Sequence, residues 1–124
     1  MLVDNKIDNV DYYWHEVDDN HPEQSEYHII TEKYEDNYFD FILIDGRNRD
    51  LCALGAIPKL KSKGLFVIDN VNRYIPNNSI APESLSRNSA PLSEEWATVI
   101  NILQDWDTKW SSNGVTDTAI FIKP

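Results

Sequence analysis

Residues 38–74, YFDFILIDGRNRDLCALGAIPKLKSKGLFVIDNVNRY, decide the fold. FDFILI at 39–44 is almost wholly apolar and is followed by Asp45-Gly46, as expected of a strand buried on both faces. Leu51, Leu54, Ile57 and Leu60 then recur at helical spacing, with Cys52, Ala53 and Ala56 beside them, predicting a helix over 49–61. Pro58 should kink that helix or end it early, and Gly64 should supply its left-handed stop after Lys61-Ser62-Lys63. LFVI at 65–68 is a second short buried strand, closed by Asp69-Asn70. Strand, helix and strand within ~30 residues form a βαβ unit, which implies two parallel strands.

Around this centre the signals are weaker. NVDYYWHEV at 9–17 alternates like a strand, although neither of its faces is cleanly polar. Tyr27, Ile30 and Tyr34 suggest a helix over 22–35 behind Pro22. Residues 71–92 hold three prolines and no periodicity, so they read as a long loop, either a functional lid or disordered. Ser93 caps a helix whose apolar stripe is Trp96, Val99, Ile100, Leu103 and Trp110, ended by Asn113-Gly114. TDTAIFI at 116–122 is the last strand.

Composition narrows the function. The 124 residues amount to a single domain. The net charge is −10, and all of it lies in residues 1–40, where twelve acids face two bases. Such a surface is best read as a solvated face, and it repels nucleic acid. No apolar run is long enough to span a membrane, and no secretory signal opens the chain. Cys52 is the only cysteine, so a reducing cytoplasm is the expected setting. None of the four glycines lies two residues from another, so no glycine-rich nucleotide loop is present. The three histidines have no zinc-ligand spacing.

Asp45 ends one strand of the βαβ unit, and Asp69 with Asn70 ends the next. Ligands of open α/β sheets bind beyond the carboxyl ends of their strands. Two carboxylates and an amide there suit Mg²⁺, unless Asp45 and Asp69 merely cap turns. Arg47, Asn48 and Arg49 follow in the same loop, and Arg73 and Tyr74 in the next. The guanidiniums could hold a substrate carboxylate or phosphate, or could simply neutralise the acids.

The stretch 38–74 also resembles the second half of a class I S-adenosylmethionine-dependent methyltransferase. The shared pattern is an apolar strand ending in I-D-G, a helix, and L-K-x-x-G before a strand ending in an acid. The D-G-R-x-R-x-x-C-x-x-x-x-x-P variant, Asp45 to Pro58, resembles one subgroup of that family. The resemblance implies a partial Rossmann-like α/β sheet, mostly parallel, with about four of seven strands, flanking helices, and residues 9–17 as the sheet's third strand. Residues 1–124 would then be a single incomplete domain, with Met1 an internal start or a truncation point.

The cofactor's glycine-rich loop would belong to the missing half, and Asp18, Asp19, Asp45 and Gly46 would contact S-adenosylmethionine. In metal-dependent members similar to catechol O-methyltransferase, the positions of Asp45, Asp69 and Asn70 bind Mg²⁺. Arg47, Asn48, Arg49, Arg73 and Tyr74, by their place in the two loops after these acids, would then face the substrate, a small or glycan-like hydroxyl compound. The lysine those enzymes carry three residues after the first acid is Asn48 here, so no catalytic base is assigned. Two further expectations stand beside this one: a non-catalytic α/β module that pairs with a partner chain, and a Mg²⁺-dependent hydrolase. An unpaired strand edge would also favour a dimer.

Overall fold

The computed structural model describes residues 8–124. Met1, and the charges of Asp4 and Lys6, lie outside them.

The central unit folds as its pattern dictates. β1 spans Phe39–Ile44, α1 spans Arg49–Ala56 and β2 spans Leu60–Asp69, with β1 and β2 parallel. Pro58 has no N–H to extend α1, so Ile57–Lys59 close it as a single 3-10 turn and β2 begins at once. The expected left-handed stop at Gly64 is therefore corrected: Lys63 takes the left-handed conformation (φ 67°) and Gly64 lies within β2. Glycine is needed there for close approach. A Cβ would sit 2.7 Å from the Leu60 side chain and 2.8 Å from the Lys61 carbonyl oxygen.

The second correction concerns the chain after Ser93. α2 spans Glu94–Leu103 only. Trp110 lies instead on β3, Asp107–Ser112, which turns through Asn113-Gly114 (Gly114 φ 85°) into β4, Asp117–Ile122. Asn-Gly between two short β-prone runs is a hairpin signal as much as a helix stop, and here the hairpin wins. The Ser93 cap forms as expected, its Oγ accepting the Trp96 N–H at 3.1 Å.

The sheet order is β1-β2-β4-β3. Its first pair is parallel, but β2–β4 and β3–β4 are antiparallel. The sheet is therefore mixed rather than mostly parallel, because a four-residue turn can only join antiparallel neighbours. The strand expected at 9–17 does not form: the segment is irregular, with Tyr12 and Trp14 exposed and no strand beside it. An alternating segment without a partner has nowhere to place its backbone hydrogen bonds. The helix expected over 22–35 is reduced to 3-10 turns at Pro22–Gln24 and Ile29–Lys33. Ser25 interrupts it in an extended conformation, its hydroxyl donating to the Glu16 carbonyl and accepting the Tyr27 N–H.

Ile44, Phe66, Ile68, Ala119 and Phe121 form one face of the sheet and pack against Ala53, Ala56, Trp96, Val99 and Leu103 of the two helices. The expected burial of β1 on both faces is corrected: both helices pack on the Ile44 face, and on the opposite face Phe41 and Leu43 remain 54% and 50% exposed. Residues 71–92 are ordered by buried Asn72. Its Oδ1 accepts the Asp117 N–H, its amide donates to Ser84 Oγ, and its carbonyl accepts from Leu85 and Asn77. No helix among the described residues is long and apolar enough to cross a membrane.

Candidate functional site

The βαβ turn brings the ends of β1 and β2 side by side, and Arg49 fills the space between them. Its Nε donates to the Gly46 carbonyl at 2.8 Å, one terminal nitrogen donates to the Asp69 carbonyl, and the other lies 3.5 Å from Asp45 Oδ1. The guanidinium also sits 5.3 Å from the Tyr74 ring centre. Arg49 opens α1, so the first turn of the helix delivers the side chain to both strand ends.

Asp69 Oδ1 accepts the Thr118 hydroxyl at 2.7 Å, and Asn70 donates its amide to Thr116 Oγ1. The Thr118 hydroxyl holds the Asp69 carboxyl below the usual carboxylate range against an opposing effect of burial, helped by the Asn70 N–H, Asp45 and Arg49. Asp69 is therefore ionised at neutral pH.

This arrangement does not fit Mg²⁺ at Asp45, Asp69 and Asn70. A permanently charged guanidinium is already bonded to Asp45 and to the Asp69 backbone, where the metal's charge would have to sit. Asp69 Oδ1 and the Asn70 side-chain nitrogen are engaged with β4 and the turn before it, and the Asn70 nitrogen cannot ligate a cation. No group of three or more His, Cys, Asp or Glu side chains among the described residues could hold a metal ion.

Beside Arg49 a cleft of about 530 Å³ opens, walled by Asp19, Gly46, Arg47, Asn48, Tyr74 and Trp96. Arg47 forms an ion pair with Asp19 across its mouth. Asn48 adopts a left-handed conformation (φ 48°) ahead of α1, and its buried Nδ2 has no hydrogen-bond partner. Tyr74 stacks on Trp96, with ring centres 5.2 Å apart and planes at 19°. Ser93 joins the two helices behind the cleft, its hydroxyl donating to Asp50 Oδ2 at 2.8 Å.

Six of the eleven residues the sequence marks line this cleft, namely Asp19, Gly46, Arg47, Asn48, Arg49 and Tyr74; Asp45 and Asp69 reach it only through Arg49, and Asn70, Asp18 and Arg73 do not belong to its wall. Asp18 accepts the backbone N–H groups of Asn20 and His21 and does not line the cleft. Arg73 pairs with Glu83 at 3.0 Å, in the loop that follows, and is likewise absent from the cleft wall. Trp96 and Ser93 were not selected. A tryptophan in an apolar helical stripe reads as core, and at 3% exposure Trp96 is core as well as cleft wall.

A smaller cavity of about 240 Å³ lies on the other side of Gly46, between β1 and the segment carrying Tyr13, His15, Tyr27 and His28. His28 Nδ1 is buried there without a partner. A Cβ on Gly46 would fall 2.0 Å from the Tyr27 hydroxyl, so only glycine lets that ring lie against the end of β1.

Cys52 also lines this smaller cavity, donating its thiol to the Arg47 carbonyl at 3.5 Å. Burial, with Asp50 adding to it, pushes its thiol up to about 11 from an ordinary 9.0. The thiolate is the reactive form, so disulfide reagents should label the folded protein at pH 8 about a hundredfold more slowly than a free cysteine. Labelling at the free-thiol rate under non-denaturing conditions would contradict this placement.

Comparison of the chain with protein families, curated proteins and solved structures finds no match.

Proposed function

We propose that the chain is the C-terminal portion of a S-adenosylmethionine-dependent methyltransferase domain, and that the cleft at the carboxyl end of β1 receives donor and acceptor. One observation carries this reading. Asp19, Gly46, Arg47, Asn48, Arg49 and Tyr74, selected for cofactor or substrate contact, line a single cleft beyond the strand ends. That edge is where an α/β sheet offers a ligand free backbone groups and a helix N-terminus.

The residues divide the work by their existing bonds. Arg49 is committed to Gly46, Asp69 and Asp45, so it positions the cleft rather than binding a ligand. Arg47 is exposed and, among the described residues, paired with Asp19 alone, so it can exchange that carboxylate for an anionic group on the acceptor. Asp19, released, offers an acceptor oxygen to the adenine end of the donor, and Asp45 stands half-exposed at the end of β1 beside it. When bound, S-adenosylmethionine supplies an electrophilic methyl group. Neither arginine can take the proton of the acceptor hydroxyl.

Direct ultraviolet cross-linking with methyl-labelled S-adenosylmethionine tests the proposal. Label is expected in peptides spanning 38–50 or 93–96, competed by S-adenosylhomocysteine. Label confined to other peptides, or uncompeted label, would reject it.

A second reading, a module that pairs with another chain, draws on a different observation. Phe41, Leu43 and Leu65 form a half-exposed apolar patch beside β1, which pairs only with β2 among the described strands. Such an edge invites another strand. The sedimentation coefficient should then rise with protein concentration, and Phe41→Lys should suppress the rise; a strictly monomeric protein would reject pairing with itself.

A further inference from the structure

Asp117 begins β4 at the same edge of the sheet and has no exposed surface. Its backbone N–H donates to Asn72 Oδ1 at 3.1 Å, and its Oδ2 accepts the Trp110 indole N–H at 2.7 Å. Its Oδ1 has no hydrogen-bond partner, and no Lys, Arg or His among the described residues forms an ion pair with it. Burial alone would favour its neutral form. The neighbouring Ser112 and Ser79 hydroxyls and the Trp110 N–H outweigh that effect and hold the carboxyl below its ordinary range. A buried carboxylate with an unused acceptor position is costly unless something donates to it.

A cavity of about 530 Å³ lies against this carboxylate, lined also by Ser79, Ile80, Arg87, Trp110 and Ser112. It is separate from the Arg47 cleft and shares no residue with it. Its chemistry is one carboxylate, one guanidinium, two side-chain amides, two hydroxyls, an indole and two apolar side chains. A divalent metal needs more anionic oxygen than a single carboxylate gives. An organic ammonium ion needs one carboxylate oxygen for its N–H and an aromatic surface for its charge and carbon chain.

We propose that this cavity binds a small primary ammonium compound, whose N–H₃⁺ donates to Asp117 Oδ1 while its carbon chain lies on Trp110 and Ile80. Asp117 has no exposed surface, so the side chains around it must move for the ammonium to reach Oδ1. Arg87 is the one other charged residue on the cavity wall. Its positive charge opposes a cationic ligand, and it is also the alternative donor to Asp117.

Titration of ¹⁵N-labelled protein with n-butylammonium chloride at constant ionic strength tests the proposal. A saturable shift of the Trp110 indole N–H and of the Asp117 and Ser112 amides is expected. n-Butanol, which has the same chain and no charge, should bind at least about tenfold more weakly, and Asp117→Asn should lose the response to a similar degree. No saturable shift up to about 50 mM, or an equal response to butanol, would overturn the proposal. So would an unchanged response in a folded Asp117→Asn variant, which would leave Arg87 as the natural partner of the carboxylate. Should Asp117→Asn fail to fold, the comparison of butylammonium with butanol on the unaltered protein decides alone.

Discussion

Arg49→Met should lower the free energy of unfolding by about 3 kcal/mol, roughly two hydrogen bonds from a charged donor. The Arg49 side chain is only 13% exposed, and it ties the carboxyl ends of β1 and β2 together through the Gly46 and Asp69 carbonyls. Methionine keeps most of the volume but donates nothing, so both carbonyls lose their partner. The Asp45 ion pair adds little to the loss, because Asp45 is half-exposed and 3.5 Å away. Arg49→Lys should restore only part of the stability, since one ammonium cannot reach three acceptors held in a fork. Urea unfolding at pH 7 measures both variants. A loss below about 1 kcal/mol for Arg49→Met would show that the strand ends hold together without it.

The largest loss is expected from Trp96→Ala, about 3–5 kcal/mol, as for other buried aromatic truncations. Trp96 is 3% exposed, packs in the main cluster with Val99 and Leu103, and carries Tyr74 stacked on its ring. Its removal leaves a cavity under the first turn of α2 and frees Tyr74 from the cleft wall. Trp96→Phe should cost much less and keep the stack. The same urea titration measures both. Equal stability of Trp96→Ala and wild type would mean that Trp96 does not hold α2 against the sheet.

The parts of the fold that were legible from sequence are those where pattern and local chemistry agree. FDFILI and LFVI are too apolar and too short to be anything but strands, and the helical stripe between them leaves the βαβ unit as the natural arrangement, although only one face of β1 is buried. Pro58 and Ser93 acted as their chemistry dictates. Misreadings fell where one signal has two meanings. Asn113-Gly114 ends a helix or turns a hairpin, and only the pairing of β3 with β4 decides. The alternation at 9–17 marks a strand only if a neighbour exists, which sequence does not disclose. The site was legible as a location, because strand ends gather polar residues. Its wiring was not: that Arg49 bonds both strand ends depends on rotamers and the first-turn geometry of α1. The orphaned Asp117 oxygen was invisible, since TDTAIFI gives no hint that its acid faces inward.

Amide shift mapping with S-adenosylhomocysteine tests most directly whether the cleft at the end of β1 is a methyl-donor site. With the glycine-rich loop absent from this chain, affinity should be weak, with a Kd of about 1 to 5 mM. Saturable shifts should cluster at Gly46, Arg47, Asn48 and the Trp96 indole, and Arg47→Ala should leave the fold intact. Shifts scattered over the surface, or none at about 10 mM ligand, would contradict the methyltransferase reading.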